Sequence, residues 1–442
     1  MDYQKLIEQS KQAGFSDLEI YAARFVGTSI SVFNGDVDKN QVSDTKSISI
    51  RGIYNGKMSY LSVENDKEDF DYILKTLKDN ALSLTTSEEF AIFPGSENYP
   101  VIKKAQGGFS EVPMEPKVAM AKNMEKELRA IDPRIVFVPY CHYHEGWDSV
   151  EIVNSLGLNV KKTNEYGYLM VQAIAKENED TQSGFEIQIA LKYDELDAKK
   201  AASKAAEKVL AKLNAGLVDS KVYPVIFDRE PMADLLEVFS SFFSGEAAVK
   251  KLTPLLGKEG QKIVSSKISI IDDPLYEGSI STQPFDDEGV ACYQKAVIKD
   301  GVFQTMLHNL KTAKHFKTTT TGNGFKPSVS ASVGVSGVNL YIAPGIKSRG
   351  ELISETKEGL LITEVAGLHA GANDITGDFS AQSSGFLILD GKIARPVNLI
   401  VVSGNFLKMM NDVDTVGNDL KIFHTGIGAP SIKITGLPVS GK

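Results

Sequence analysis

The spacing of apolar residues changes several times along the chain, and each change predicts an element. Residues 3–13 set Leu6 and Ile7 among polar neighbours, and Gly14 supplies the left-handed residue that commonly ends a helix, so the chain should open with a short helix. From Asp17 to Val63 the period becomes two, as in Ser29-Ile30-Ser31-Val32-Phe33 and Ser47-Ile48-Ser49-Ile50. Asn34-Gly35 and Asn55-Gly56 fall between such runs, and both residue types tolerate positive φ, so an antiparallel meander is expected. Helical spacing returns over 69–82 through Phe70, Ile73, Leu74 and Leu77. A polar connection with Pro and Gly follows from Thr85 to Pro113 and reads as a hinge.

A helix over Pro116–Ile131 should precede strands at 135–142, 150–154, 158–163, 168–176 and 185–192, and an Ala/Lys-rich helix should run from Leu196 to about Leu213. Asn214 to Gly216 end it, which places a boundary near 217–221: an α+β domain over 1–218 and a β-rich domain over 219–442. The second half opens with a strand at Val222–Phe227 and an apolar helix at Pro231–Phe243, then turns to strands and long Gly/Ser/Thr loops. Asp300-Gly301 and Asp390-Gly391 separate β-type runs and suit tight hairpins. The fold class is α+β.

Composition adds exclusions. At 442 residues the chain exceeds the ~250–300 that one core usually serves, and 42% hydrophobic with 24% charged residues is an ordinary globular mix. The formal charge of −9 would repel a polyanion, so nucleic acid is not an expected partner. The start, Met1-Asp2-Tyr3-Gln4-Lys5, lacks the order of a signal peptide and no apolar run is long enough to span a membrane; a cytoplasmic protein is expected. Cys141 and Cys292 are too few and too far apart for a disulfide framework and read as free thiols.

Local clusters suggest little chemistry. In Cys141-His142-Tyr143-His144-Glu145 two imidazoles two apart would share one strand face, yet zinc needs three or four ligands; they read as strand-end histidines beside a turn at Gly146. His308 and His315 lie seven apart on an expected short helix, and His369 and His424 sit in Gly-rich loops. No His-Glu-x-x-His or His-Glu-x-x-x-His string exists, and such a helix is what puts two imidazoles and a general base on one face. Asp272-Asp273 and Asp286-Asp287-Glu288 flank a polar loop and read as solvated turn carboxylates, with a hard cation as the alternative. Thr318 to Gly324 is a hydroxyl- and Gly-rich loop without the phosphate-binding pattern; it reads as a plain connection or the lining of a peptide groove.

Longer stretches carry a resemblance. Ser281-Thr282-Gln283-Pro284-Phe285-Asp286-Asp287-Glu288-Gly289, Thr320-Thr321-Gly322-Asn323-Gly324, Ile375-Thr376-Gly377-Asp378-Phe379-Ser380 with Ser384-Gly385-Phe386, Asp390 to Val397, and Thr415-Val416-Gly417-Asn418-Asp419 resemble the TldD/PmbA family, once called modulators of DNA gyrase. The early helix, the meander and Asn154-Ser155-Leu156-Gly157 are similar too, so the likeness spans the chain. Family members of the TldD type carry a His-Glu-x-x-x-His zinc helix and a cysteine ligand near the C-terminus. Counting back from Gly257, that window falls on Leu236-Glu237-Val238-Phe239-Ser240-Ser241, where leucine and serine replace both histidines and Glu237 alone is kept. No histidine lies between Ile174 and Val302, and Phe423-His424-Thr425-Gly426 has no cysteine, leaving His424 as a remote substitute donor.

The resemblance therefore implies a TldE/PmbA-type subunit with no cofactor of its own, whose zinc-bearing partner would be a TldD-like peptidase chain and whose substrate would be unfolded peptide. A homodimer or heterodimer is expected. Thr321, Gly322, Asn323 and Gly324, with Thr376, Gly377, Asp378 and Phe379, are the expected substrate contacts, by strand addition. Two alternatives stay open: an active metallopeptidase with a non-standard site drawing on His142, His144 or His424, and a homodimeric peptide-binding protein without a protease partner.

Overall fold

The structure is a computed structural model describing residues 1–64, 69–85, 91–102 and 107–442. Its first half is one antiparallel sheet of six strands, β1 (Phe15–Phe33), β2 (Asp36–Tyr54), β3 (Lys57–Val63), β4 (Ile135–Asn154), β5 (Asn159–Glu177) and β6 (Asp180–Ala190). Their spatial order is β3-β2-β1-β4-β5-β6. The four Asx-Gly pairs expected to turn all make hairpins with positive φ at both residues: Asn34-Gly35, Asn55-Gly56, Asp300-Gly301 and Asp390-Gly391.

The four central strands run 19 or 20 residues, about 60 Å each. Here the sequence reading needs correction, since it broke β4 at Gly146 and β5 before Tyr168. Gly146 instead lies mid-strand opposite Gly27 and Tyr166, and a Cβ there would stand 2.8 Å from the Phe25 ring. Gly167 likewise makes room for the Phe109 ring, 2.3 Å from where a Cβ would sit. Both glycines admit an aromatic ring to the sheet face and do not end a strand.

Two pairs of helices cover one face of this sheet. Leu18, Ile20, Ile48 and Ile50 pack under α1 (Tyr3–Gln12) and α2 (Phe70–Ser83). Farther along β1, Ile30 and Val32 join the core beneath α3 (Met114–Ile131) and α4 (Ala198–Leu210). On the opposite face Tyr21 and Ile152 meet Leu158 and Phe285, so this side is closed by the second half of the chain. Within the connection read as a hinge, residues 86–90 and 103–106 lie outside the described residues. Between them Ile92 packs with Ile53 and Met58, and the Tyr99 hydroxyl donates to the Gly289 carbonyl at 2.7 Å.

The second half centres on β7 (Lys221–Phe227), in a sheet ordered Lys392–Asn405, Asp378–Leu389, Glu358–Ala366, β7, Ile432–Ser440 and Val413–Val416. Pairing of Val401 with Ser440 and Val402 with Val439 brings the first strand back onto the fifth and closes a barrel. A third sheet of short strands runs Val302–Phe303, Lys295–Lys299, Ile270–Asp272, Leu340–Ile342, Ile427–Ala429 and Lys421–Ile422. One apolar core, including Val225, Phe227, Ile270, Leu340 and Ile362, unites the two sheets. Among the described residues no helix is long and apolar enough to cross a membrane.

Candidate functional site

The helix expected at Pro231–Phe243 is α5 (Arg229–Phe239) followed by a 3-10 turn at Ser240–Phe243. Asp228 caps it, its carboxylate accepting the Arg229 N–H at 2.8 Å. Met232, Leu235, Leu236 and Phe239 recur at helical spacing and are fully buried, which turns one face of α5 into the core. Leu236 is thus committed to packing. Glu237 points outward beside it, and Ser241, within the 3-10 turn, donates to the Asp374 carbonyl at 3.5 Å.

This outward side of α5 borders a groove of about 640 Å³. Val238, Leu307, Leu340 and Ile427 contribute apolar wall, while Glu237, Ser240, Ser241, Ser336, Asp374 and Thr425 contribute polar rim. The structure therefore brings the Leu236–Ser241 window, the start of the 375–380 loop and the neighbour of His424 to one place. Burial pushes the Asp234 carboxyl up to about 7, with the charges of Glu230, Glu237 and Glu364 adding to it.

The donors at this groove do not fit a zinc ion. Leu236 is apolar and buried in the core, Glu237 is a single carboxylate, and Ser241 offers a neutral hydroxyl. His424 is exposed on the neighbouring loop. Among the described residues no group of three or more His, Cys, Asp or Glu is placed to hold a metal. His142 and His144 sit mid-strand and not at a strand end. The His144 ring stacks on Tyr168 at 4.7 Å and lies parallel to Phe25 at 6.1 Å, and burial lowers the pKa of both imidazoles. Their surroundings are aromatic, and both cysteines are buried.

The two loops expected to touch substrate part company. Thr376 and Asp378 are exposed and hydrogen-bonded to each other at 2.7 Å, and donors from Asn405 and Thr376 hold the Asp378 carboxyl below its usual range. Phe379 is buried against Phe239, and Gly377, at φ 87°, packs beside Phe242. Thr321, Gly322, Asn323 and Gly324 are all buried. Asn323 donates to Asp272 at 2.9 Å and to the Ser336 carbonyl at 3.0 Å, and accepts from Lys295 at 3.2 Å and Thr321 at 2.8 Å. The Gly324 N–H donates to Asp286 at 2.8 Å.

The acidic pairs are where the sequence reading fails most. Asp272, Asp273, Asp286, Asp287 and Glu288 are buried, not solvated. Asp286 accepts N–H donors from Glu288, Val290 and Gly324. Asp287 accepts from Tyr21, Lys162 and the Lys326 N–H, and Lys295 pairs with Asp272 at 2.7 Å. Arg51 donates to Glu19 at 2.7 Å and lies 3.9 Å from Glu288. Burial raises the Asp286 and Glu288 carboxyls and, with the charge of Arg51, lowers Lys326 to about 8. This is an ionic junction locking the meander to the second half. A second cavity of about 760 Å³ opens beside it, lined by Pro100, Trp147, Asn164, Glu165, Glu277 and Thr282, and only the lone tryptophan could have hinted at it from sequence.

Comparison with known proteins bears directly on this architecture. Three consecutive sequence profiles match: PmbA/TldA metallopeptidase domain 1 over residues 18–81, the central domain over 107–213 and the C-terminal domain over 220–441. The chain belongs to the PmbA/TldD family. Residues matched by the first two profiles share the single meander sheet, and the third covers the barrel and the α5 groove. A metalloprotease PmbA homolog of Buchnera aphidicola is 26% identical over 442 residues, covering 97% of this chain and 94% of that protein. The crystal structure of a candidate modulator of a DNA gyrase from Thermotoga maritima is 32% identical, covers 99% of both chains and superposes with a TM-score of 0.90. TldE from Thermococcus kodakarensis, at 23% identity, shares the fold with a TM-score of 0.90 over 99% of both chains.

Proposed function

We propose that this member of the PmbA/TldD family is the TldE/PmbA-type subunit of a TldD/TldE-type metallopeptidase system that acts on unfolded peptides in the cytoplasm. In this reading the chain holds peptide and completes the assembly, and a zinc-bearing TldD-like chain cuts. The observation that carries it is the fate of the helix window. Leu236 is locked into the core and Ser241 caps a neighbouring carbonyl, so Glu237 faces the groove without a metal to serve. The groove persists, with apolar walls and a polar rim suited to an extended segment. Thr376 and Asp378 stand exposed beside it, whereas Thr321 to Gly324 would act by fixing the loops behind it.

The test is peptide cleavage by the purified chain, by a TldD-like chain, and by both together. Cleavage that needs the mixture, with KM raised when Ser241→Trp fills the groove, supports the proposal. Cleavage by this chain alone would favour a non-standard metal site, and cleavage by the TldD-like chain unaffected by adding this one would favour a separate peptide-binding role.

A further inference from the structure

The strand β5 loses its outer neighbour part-way along. β6 ends at Ala190, opposite Gly167, and the chain bends away at Leu191, so residues 159–166 of β5 pair with β4 alone. The outer edge of β6 itself is blunted, because Lys212 and Lys208 donate to the carbonyls of Ser183 and Phe185 at 2.8 and 3.0 Å. The vacated stretch of β5 has no such guard. The Asn154 N–H closes the β4–β5 hairpin by donating to the Leu158 carbonyl at 3.0 Å, and the register is unshifted over residues 140–153 of β4. Even-numbered residues of this stretch therefore exchange hydrogen bonds with β4, and Lys161, Thr163 and Glu165 turn their N–H and C=O groups away from it. Among the described residues nothing bonds to those outward groups.

This edge forms the floor of a cleft. The cavity of about 760 Å³ adjoins one of about 370 Å³, the two sharing Pro100, Ile102 and Thr163, and residues of the 275–285 segment line both. The cleft is also polarised. At one end Glu165 stands opposite Trp147 of β4, with Glu277 lining the same cavity. The Glu165 carboxylate accepts the Gly107 N–H at 2.9 Å as well. At the other end Lys161 is exposed; its neighbour across β4 is Glu151, and among the described residues it forms no ion pair.

We infer that this cleft takes an extended peptide as a short added strand antiparallel to β5, in the place that β6 leaves empty. The guest carries a basic side chain at its N-terminal end, beside Glu165 and Trp147, and an acidic side chain four residues on, beside Lys161. Four steps of strand span about 14 Å, the length from Glu165 to Lys161. Residues directly opposite each other share a sheet face, so each charge of an antiparallel guest meets an opposite one, and the indole adds a cation–π contact. A parallel guest would meet like charges at both ends. The cleft shares no lining residue with the α5 groove.

The test uses the full chain alone, without a TldD-like partner, so its outcome is independent of the proposed peptidase role. Trp147 is the chain's one tryptophan, and its fluorescence reads this cleft directly. Titration with the peptide acetyl-Lys-Thr-Val-Thr-Glu-amide should change that emission and saturate below about 1 mM, and the reversed peptide acetyl-Glu-Thr-Val-Thr-Lys-amide should bind about fivefold more weakly. N-methylation of the central valine, opposite Thr163, should weaken binding about tenfold, whereas N-methylation of the second residue, whose N–H faces away from β5, should not. Lys161→Glu combined with Glu277→Lys should remove the preference between the two peptides. No saturable change in emission, equal loss from the two N-methylations, or a preference untouched by the double variant would overturn the inference; circular dichroism confirms that the variant is folded.

Discussion

The α5 groove and the ionic junction are built from the same residue types and behave in opposite ways. In the junction Asp272, Asp286, Asp287 and Glu288 are buried, and lysines, an arginine and backbone N–H groups meet them. Beside the groove, Glu237 and Asp374 face solvent, and the hydroxyls of Ser240 and Ser241 are spent on nearby carbonyls. Stability is invested where the sequence seemed to offer loops, and freedom is left beside the groove. Changes at the junction should therefore act on folding, and changes at the groove on ligand alone.

The largest effect is expected at Glu19. Glu19→Gln takes the close anionic partner from Arg51, whose remaining carboxylate is 3.9 Å away, and should cost about 3 kcal/mol or more in urea unfolding. Asn323→Ala strips a donor from Asp272 and one from the Ser336 carbonyl, and about 2 kcal/mol of lost stability is expected by the same measurement. Asp234, on α5 beside Glu230 and Glu237, gives a pH-dependent effect. Its folded carboxyl sits at about 7, above the ~3.9 of an unfolded chain, so the folded state holds its proton more tightly and stability falls as pH rises from about 4 through 7. Asp234→Asn should accordingly melt higher than wild type at pH 8, the advantage disappearing toward pH 4. Glu237→Ala should change unfolding by no more than about 0.5 kcal/mol, and a larger loss would mean the groove is structural after all.

Local signals were read well from sequence, and distant ones were not. Four Asx-Gly turns, the short α1 and the apolar face of α5 follow from residues that are neighbours along the chain. Gly146 and Gly167 misled because what they accommodate, the rings of Phe25 and Phe109, lies 58 or more positions away in sequence, where no local pattern reaches. The acidic triplet misled for the same reason, since Arg51, Tyr21 and Lys162 come from the meander sheet. The absence of histidine from Leu236–Ser241 was visible in the sequence. That Leu236 faces the core needed the fold.

Zinc content of the purified chain is the most direct measurement of the central claim. With only Glu237 at the α5 window, elemental analysis after gel filtration should find far less than one zinc per chain, unchanged when His142, His144 and His424 are replaced. One zinc per chain that is lost on replacing those histidines would contradict the account.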